Sequence, residues 1–256
     1  MTSGTATTRC GFVAIVGAPN AGKSTLVNAM VGSKVTIVSH KVQTTRGLVR
    51  GVVMRGLSQI VLVDTPGIFR PKRRLDRAMV TTAWAGAEDA DMVAVLVDAE
   101  RGLDEEVATI FTRVANVKRP KLLILNKIDR LARDRLLPLA ASANERVAFE
   151  RTFMVSATKG HGLDDLLDHL AASVAPGPWL YPEDQISDLP MRMLAAEITR
   201  EKVYERLHEE LPYQSTVETD QWQQREDGSV RIEQTIYVER ESQRKIVLGK
   251  AGQTIK

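Results

Sequence analysis

Eight residues constrain this chain more than any others: Gly17-Ala18-Pro19-Asn20-Ala21-Gly22-Lys23-Ser24, set between the apolar run Phe12–Val16 and the helix-like stretch Lys23–Val31. Glycines at this spacing let a loop close tightly enough to turn its N–H groups toward phosphate oxygens. Lys23 adds a point charge and Ser24 a hydroxyl suited to Mg²⁺. Thr25 continues the turn, and the helix that starts here brings its positive end to the same place. A loop of this kind needs a strand before it and a helix after it. The chain is thereby committed to strand-loop-helix units and a mainly parallel sheet.

The rest of the sequence follows that rule for about two-thirds of its length. Short apolar runs at Phe12–Val16, Leu48–Arg55, Gln59–Asp64, Met92–Asp98, Lys121–Leu125 and Thr152–Ser156 read as strands. Helix-length segments such as Lys23–Val31, Asp104–Val117 and Arg133–Phe149 separate them. The two runs flanking Gly56-Leu57-Ser58 are close enough to form a hairpin, hence one antiparallel edge. "APGPWLYPEDQISDLP", with four prolines and no helical period, reads as a linker. Beyond it an amphipathic pattern spans Met191 to Leu211. Two alternating segments, Ser215–Gln223 and Val230–Glu239, meet at Asp227-Gly228 as a hairpin, and a last helix starts near Ser242. The expected class is α/β, a P-loop domain followed by a smaller α+β domain. Cys10 is the one cysteine, so no intrachain disulfide can form and a reducing compartment fits. The polar N-terminus and the shortness of every apolar run argue for a cytoplasmic chain.

Three further segments address the base. Asp64-Thr65-Pro66-Gly67 ends a hydrophobic strand, which places a carboxylate near the metal and the Gly67 N–H near the terminal phosphate; Ile68 follows. Asn126-Lys127-Ile128-Asp129 follows "LLIL", where an aspartate can accept from guanine N1–H and its exocyclic amine. Adenine offers neither pairing. Ser156-Ala157-Thr158, after the next run, can turn backbone N–H groups to the guanine oxygen. Four motifs in this order, each at the carboxyl end of a strand, read as a GTP/GDP site, and Asn126 with Asp129 disfavours an ATPase or kinase.

"GAPNAGKST", "QTTR", "DTPGI", "NKID", "YPEDQISDLPMR" and the late Gly249-Lys250-Ala251-Gly252 together resemble the Era family. Members are bacterial GTPases with a C-terminal KH domain that act in small ribosomal subunit assembly and rRNA maturation. The resemblance runs from about Gly11 to the last residue. It implies a disordered tail over 1–10, a GTPase domain over 11–175, a linker over 176–190 and a KH-like RNA-binding domain over 191–256. That last domain would stop after the Gly-x-x-Gly turn, short of the family's final helix and strand. The partners implied are small-subunit rRNA and the small ribosomal subunit, not DNA. The resemblance also allows peripheral contact at the inner face of the membrane, and it implies a monomer.

For hydrolysis, many small GTPases orient the attacking water with a glutamine where this chain has Ile68, so slow intrinsic turnover is expected. Related GTPases with asparagine at the Asn20 position use it to help hold K⁺ beside the phosphates, which assigns a potassium role to Asn20. Mg²⁺ would be held by Ser24, Asp64 and a threonine of the "QTTR" segment, Thr45 in preference to Thr44. Between Lys34 and Val63 stand five basic residues and no acid, and Phe69–Arg77 is nearly as basic. Both are candidates for meeting a phosphate or a partner. From Arg240 to Lys256 five bases face one acid, so positive charge gathers around Lys250. Two other readings stay open: a GTP-sensing RNA-binding module, and another ribosome- or tRNA-related GTPase.

Overall fold

The apolar runs become strands buried on both faces, which is why they read as near-continuous Val, Ile and Leu rather than as alternation. In the computed structural model, residues 7–42, 44–209 and 211–255 are described. The first unit, residues 1–36 and 45–188, runs β1 (Arg9–Gly17), α1 (Lys23–Val31), β2 (Val49–Arg55), β3 (Ser58–Asp64), α2 (Arg74–Asp89), β4 (Met92–Asp98), α3 (Glu105–Val114), β5 (Lys121–Asn126), α4 (Arg133–Arg146), β6 (Arg151–Met154) and α5 (Leu163–Ser173). The strand order is β2-β3-β1-β4-β5-β6. Only β2 runs antiparallel, paired with β3 as the Gly56-Leu57-Ser58 spacing predicts.

Alternate residues of each strand feed two cores. Val13 and Ile15 face α1 and α5 with Leu26, Val27, Leu166 and Leu170. Ala14 and Val16 face the other layer with Trp84, Ile110, Phe111 and Leu136. Each fully buried Val, Leu, Ile or Phe among them stabilises the fold by roughly 1.5–3 kcal/mol. The consequence for function is geometric: β1, β3, β4 and β5 all end on one edge, each presenting its last residue there.

Several boundaries differ from expectation for identifiable reasons. The disordered tail expected over 1–10 is not seen at Arg9 and Cys10, which pair with Ser58 and Gln59 in β1; residues 1–6 lie outside the described residues. Helix α3 starts at Glu105 because Asp104 is its cap, accepting from Val107 N at 2.9 Å. Part of the basic Phe69–Arg77 run is helical. Asp76 accepts from Lys72 N and Arg73 N, both at 2.9 Å, and opens α2 at Arg74. The proline-rich linker is an ordered strap, held along its length. Gln59 Oε1 accepts from Leu180 N (2.8 Å) and Tyr181 N (3.0 Å), and Arg50 pairs with Asp188 at 2.7 Å.

The second unit comprises residues 37–44 and 189–256. It contains α6 (Met191–Arg206), the antiparallel pair β7 (Ser215–Gln224) and β8 (Val230–Val238), and α7 (Glu241–Leu248). Its small core gathers Ala196, Val203, Leu207, Val217 and Val247. The segment Ile37–Thr44 packs within this unit. Buried Arg200 donates to Thr44 O at 2.6 Å, Glu201 accepts from Val38 N at 2.9 Å, and Lys41 donates to the Tyr204 and Leu207 carbonyls.

Candidate active site

The phosphate loop leaves β1 at Gly17 and enters α1 at Lys23. Its shape depends on Gly22, whose φ of 99° suits glycine and where a Cβ would sit 2.4 Å from Asn126 Nδ2. Lys23 is buried and donates to Gly17 O (3.2 Å) and Ala18 O (3.0 Å). Burial holds its pKa down at about 8, against the opposing pull of Asp64.

Asp64 ends β3 fully buried. Its Oδ2 accepts from Ser24 Oγ (2.7 Å), Thr36 Oγ1 (2.9 Å) and Thr45 Oγ1 (3.3 Å). Its Oδ1 is buried with no hydrogen-bond partner among the described residues. Burial pushes the carboxyl pKa up despite those donors and Lys23. A buried carboxylate with one orphaned oxygen, ringed by hydroxyls, suits a hard cation. Mg²⁺ in particular takes one or two carboxylates and completes its shell with phosphates and water, so these residues fit it. The structure brings Thr45 to this corner, 3.1 Å from Ser24 Oγ, and places Thr44 in the second unit with its hydroxyl on Lys41 O. Thr65 donates to Ile15 O at 2.7 Å and locks the start of the next loop. Gly67 lies against Pro19 so closely that a Cβ there would meet its Cα at 3.0 Å. Ile68 is turned inward: its side chain joins the core and its N–H donates to Gly17 O at 3.0 Å.

At the other end of the site, Asn126 ties two loops together. Its Nδ2 donates to Ala21 O (2.9 Å), and its Oδ1 accepts from Ala157 N (3.1 Å). Lys127, at φ 62°, donates to Asn20 O at 2.8 Å and to Asp98 Oδ2 at 2.6 Å. Asp129 projects into solvent at the head of a short 3₁₀ turn that includes Ile128. It accepts from Ser156 Oγ at 2.6 Å, which lowers its pKa and keeps it anionic and oriented. Ser156 Oγ also lies 3.4 Å from Thr158 Oγ1. Asn20 is exposed at φ 61°; asparagine tolerates that left-handed backbone well, so its identity has a conformational reason independent of any ion.

Two contributors escaped sequence reasoning. Thr36 sits in "VTIV" with no motif to flag it. Asp98 carried a readable signal, since "VAVLVD" ends in a carboxylate just as "IVLVD" does at Asp64. In the second unit, Gly249 (φ 68°), Lys250, Ala251 (φ 55°) and Gly252 (φ 73°) form a tight turn, with Lys250 and Ala251 exposed. Gly249 is required there, because a Cβ would fall 2.1 Å from Thr254 Oγ1.

A phosphate loop and a buried, hydroxyl-ringed aspartate at one end of a sheet edge, with an exposed anionic aspartate at the other, have the arrangement of a P-loop nucleotide hydrolase. Residues 12–127 match the family described as 50S ribosome-binding GTPase, and residues 210–256 match the KH domain. The GTPase Era of Afipia carboxidovorans is 71% identical over 249 residues, covering 97% of this chain and 81% of that protein. Its counterpart from Brucella suis is 67% identical, covering 97% and 80%. Among solved structures, Era in complex with MgGDPNP and nucleotides 1506–1542 of 16S ribosomal RNA superposes with a TM-score of 0.91 at 36% identity, covering 97% of this chain and 85% of that one. The chain belongs to the Era GTPase family, and its reaction is hydrolysis of GTP.

Proposed function

We propose that this chain uses GTP hydrolysis to time its binding to small-subunit rRNA, and so assists small ribosomal subunit assembly and rRNA maturation in the cytoplasm. The observation that carries the nucleotide half is Asp64, whose Oδ2 gathers Ser24, Thr36 and Thr45 while its buried Oδ1 is left for a cation. Ser24, Asp64 and Thr45 would hold Mg²⁺, which neutralises charge building on the phosphates when bound. Lys23, with its ammonium on two loop carbonyls and its pKa near 8, would transfer those donors to phosphate oxygens. Residues 17–25 and 64–68 would enclose the phosphates, while 126–129 and 156–158 would hold guanine. With the Ile68 side chain inside the core, no side chain follows Gly67 to orient water, which supports slow intrinsic turnover. Asn20, exposed within the loop, is the residue we assign to K⁺.

The RNA half rests on the exposed Lys250 in its glycine-framed turn and on the KH match. It also rests on the Era relative solved with 16S rRNA. Single-stranded backbone in such a turn meets N–H groups and a lysine. A second reading, association with the large subunit, follows from the name of the family matched over 12–127. Fluorescence anisotropy with an RNA spanning 16S nucleotides 1506–1542 and a large-subunit RNA of equal length separates the two. We expect the GDPNP-loaded chain to prefer the 16S fragment. Equal or stronger binding of the large-subunit RNA would overturn the small-subunit reading.

A further inference from the structure

The phosphate loop is braced from behind, and the brace ends on a residue that no GTPase motif contains. Two of the four described non-glycine residues with positive φ are Asn20 and Lys127, at 61° and 62°. They are joined to each other: Lys127 Nζ donates to Asn20 O at 2.8 Å, directly beside the bond from Asn126 to Ala21 O. Successive carbonyls on the back of the loop are therefore held by successive residues of the base-binding segment. This arrangement frees the front of the loop, with its N–H groups, for phosphate.

Lys127 in turn is held by Asp98. The Asp98 Oδ2 lies 2.6 Å from Lys127 Nζ, and its Oδ1 accepts from Glu100 N at 3.0 Å, so both oxygens have fixed partners. Its side chain is only 7% exposed. The backbone beneath it is equally constrained. Asp98 is in register with Asn126 across β4 and β5, and Ala99 N donates to Asn126 O at 2.9 Å. A flexible lysine has many rotamers, and a single carbonyl would hold it weakly. A buried, immobile carboxylate restricts it to the one that reaches Asn20.

We propose that Asp98 is a positioning residue for the nucleotide site: acting through Lys127, it keeps Asn20 in the left-handed conformation that the phosphate loop needs. The inference rests on the nucleotide placement above and deepens it. Its effect falls on nucleotide binding rather than on the chemical step, because the bonds lie behind the loop and touch no reacting atom.

The test uses the full chain and a fluorescent N-methylanthraniloyl GDP, with thermal melting recorded for every variant. Asp98→Asn keeps the shape but removes the charge. It should weaken binding about tenfold, the low end for one hydrogen bond to a charged group, mainly through faster dissociation. KM for GTP should rise in parallel while kcat changes little, and Asp98→Glu should recover part of the loss. In a Lys127→Met background, Asp98→Asn should add no further loss, since the route to Asn20 is already cut. Full additivity of the two changes, or unchanged affinity in Asp98→Asn, would overturn the proposal. Asp129→Asn serves as the separate control on the base site. A loss there with none in Asp98→Asn sinks the role of Asp98 alone, whereas no loss in either sinks the nucleotide placement as well.

Discussion

On the assignments proposed above, the two units would meet phosphate in opposite ways. In the first unit Lys23, Asp64, Asn126 and Ser156 are all buried, and each is held by at least one hydrogen bond of 3.2 Å or less. The groups are oriented before any ligand arrives, and the fold bears the desolvation of a lysine and a carboxylate to keep them so. In the second unit the turn around Lys250 is exposed, and its shape is set by glycine backbone conformations rather than by a side-chain network. A buried, bonded site should respond to substitution in large steps that depend on chemistry. An exposed basic turn should respond in small steps that depend on salt.

Lys23 offers the hardest test of that contrast. Lys23→Ala should lower single-turnover GTP hydrolysis by about a hundredfold or more, the scale of losing one preorganised donor aimed at developing negative charge. Its melting temperature should not fall comparably, because the lysine is a desolvated charge that the free fold merely tolerates. The pKa carries a sign. With the folded value near 8 and the ordinary value 10.5, the unfolded chain binds more protons between the two. The penalty is therefore full below pH 8, and the free protein gains stability as pH rises through that window. Nucleotide affinity runs the other way, being greatest below pH 8 and falling above it as the ammonium is lost. Both trends should vanish in Lys23→Ala. If affinity stays flat up to pH 9 in the unsubstituted chain, Lys23 is not the phosphate contact.

A medium-sized effect is expected at Asn20, on the border between a bonded and an exposed group. Potassium should accelerate hydrolysis over sodium at matched ionic strength. Asn20→Ala confounds two roles, since alanine is strained at φ 61°. Asn20→Gly keeps the backbone and deletes only the side chain. If the side chain holds the ion, both variants lose the potassium preference and Asn20→Gly still binds GDP normally. If asparagine is there for the loop shape alone, Asn20→Gly keeps the preference, and the cation assignment fails.

What could be read in advance follows the same division. That the candidate residues Lys23, Asp64 and Asp129 gather at one sheet edge was legible, because phosphate and guanine chemistry would demand particular side chains at fixed spacing along one strand-loop unit. Partners recruited across the fold were not. Thr36 reaches Asp64 over 28 positions and Asp98 reaches Lys127 over 29. Nothing local distinguishes Thr36 from an ordinary loop threonine, and the strand-end position of Asp98 does not name Lys127 as its partner. Gln59, fully buried, clasps the proline-rich strap over more than 120 positions, so a segment that reads as a tether is in fact ordered. Helix α2 was hidden by its charges: "RPKRRLDRAM" lacks an apolar period at its start, and its first turn depends on Asp76 accepting two N–H groups. One capping residue sets where the helix begins.

The smallest effect, and the one that would most sharpen the contrast, concerns Lys250. It is exposed, and among the described residues no hydrogen bond or ion pair of its side chain is seen, so replacing it should leave the fold unaltered. The predicted change lies wholly in RNA binding. For single strands, log affinity falls with log salt by about 0.7 per phosphate neutralised. Lys250→Ala should therefore flatten the salt slope for the 16S fragment by roughly that amount and weaken binding only a few-fold at physiological salt. The loss should be the same for any single-stranded sequence, because a phosphate contact carries no base information. Lys118→Ala, a similarly exposed lysine in the first unit, is the matched control and should leave the slope unchanged. If the two variants behave alike, charge anywhere on the surface suffices, and the Gly249–Gly252 turn is not where the backbone is held. If Lys250→Ala instead abolishes binding, the turn behaves like the buried site, and the division between preorganised and graded recognition is wrong.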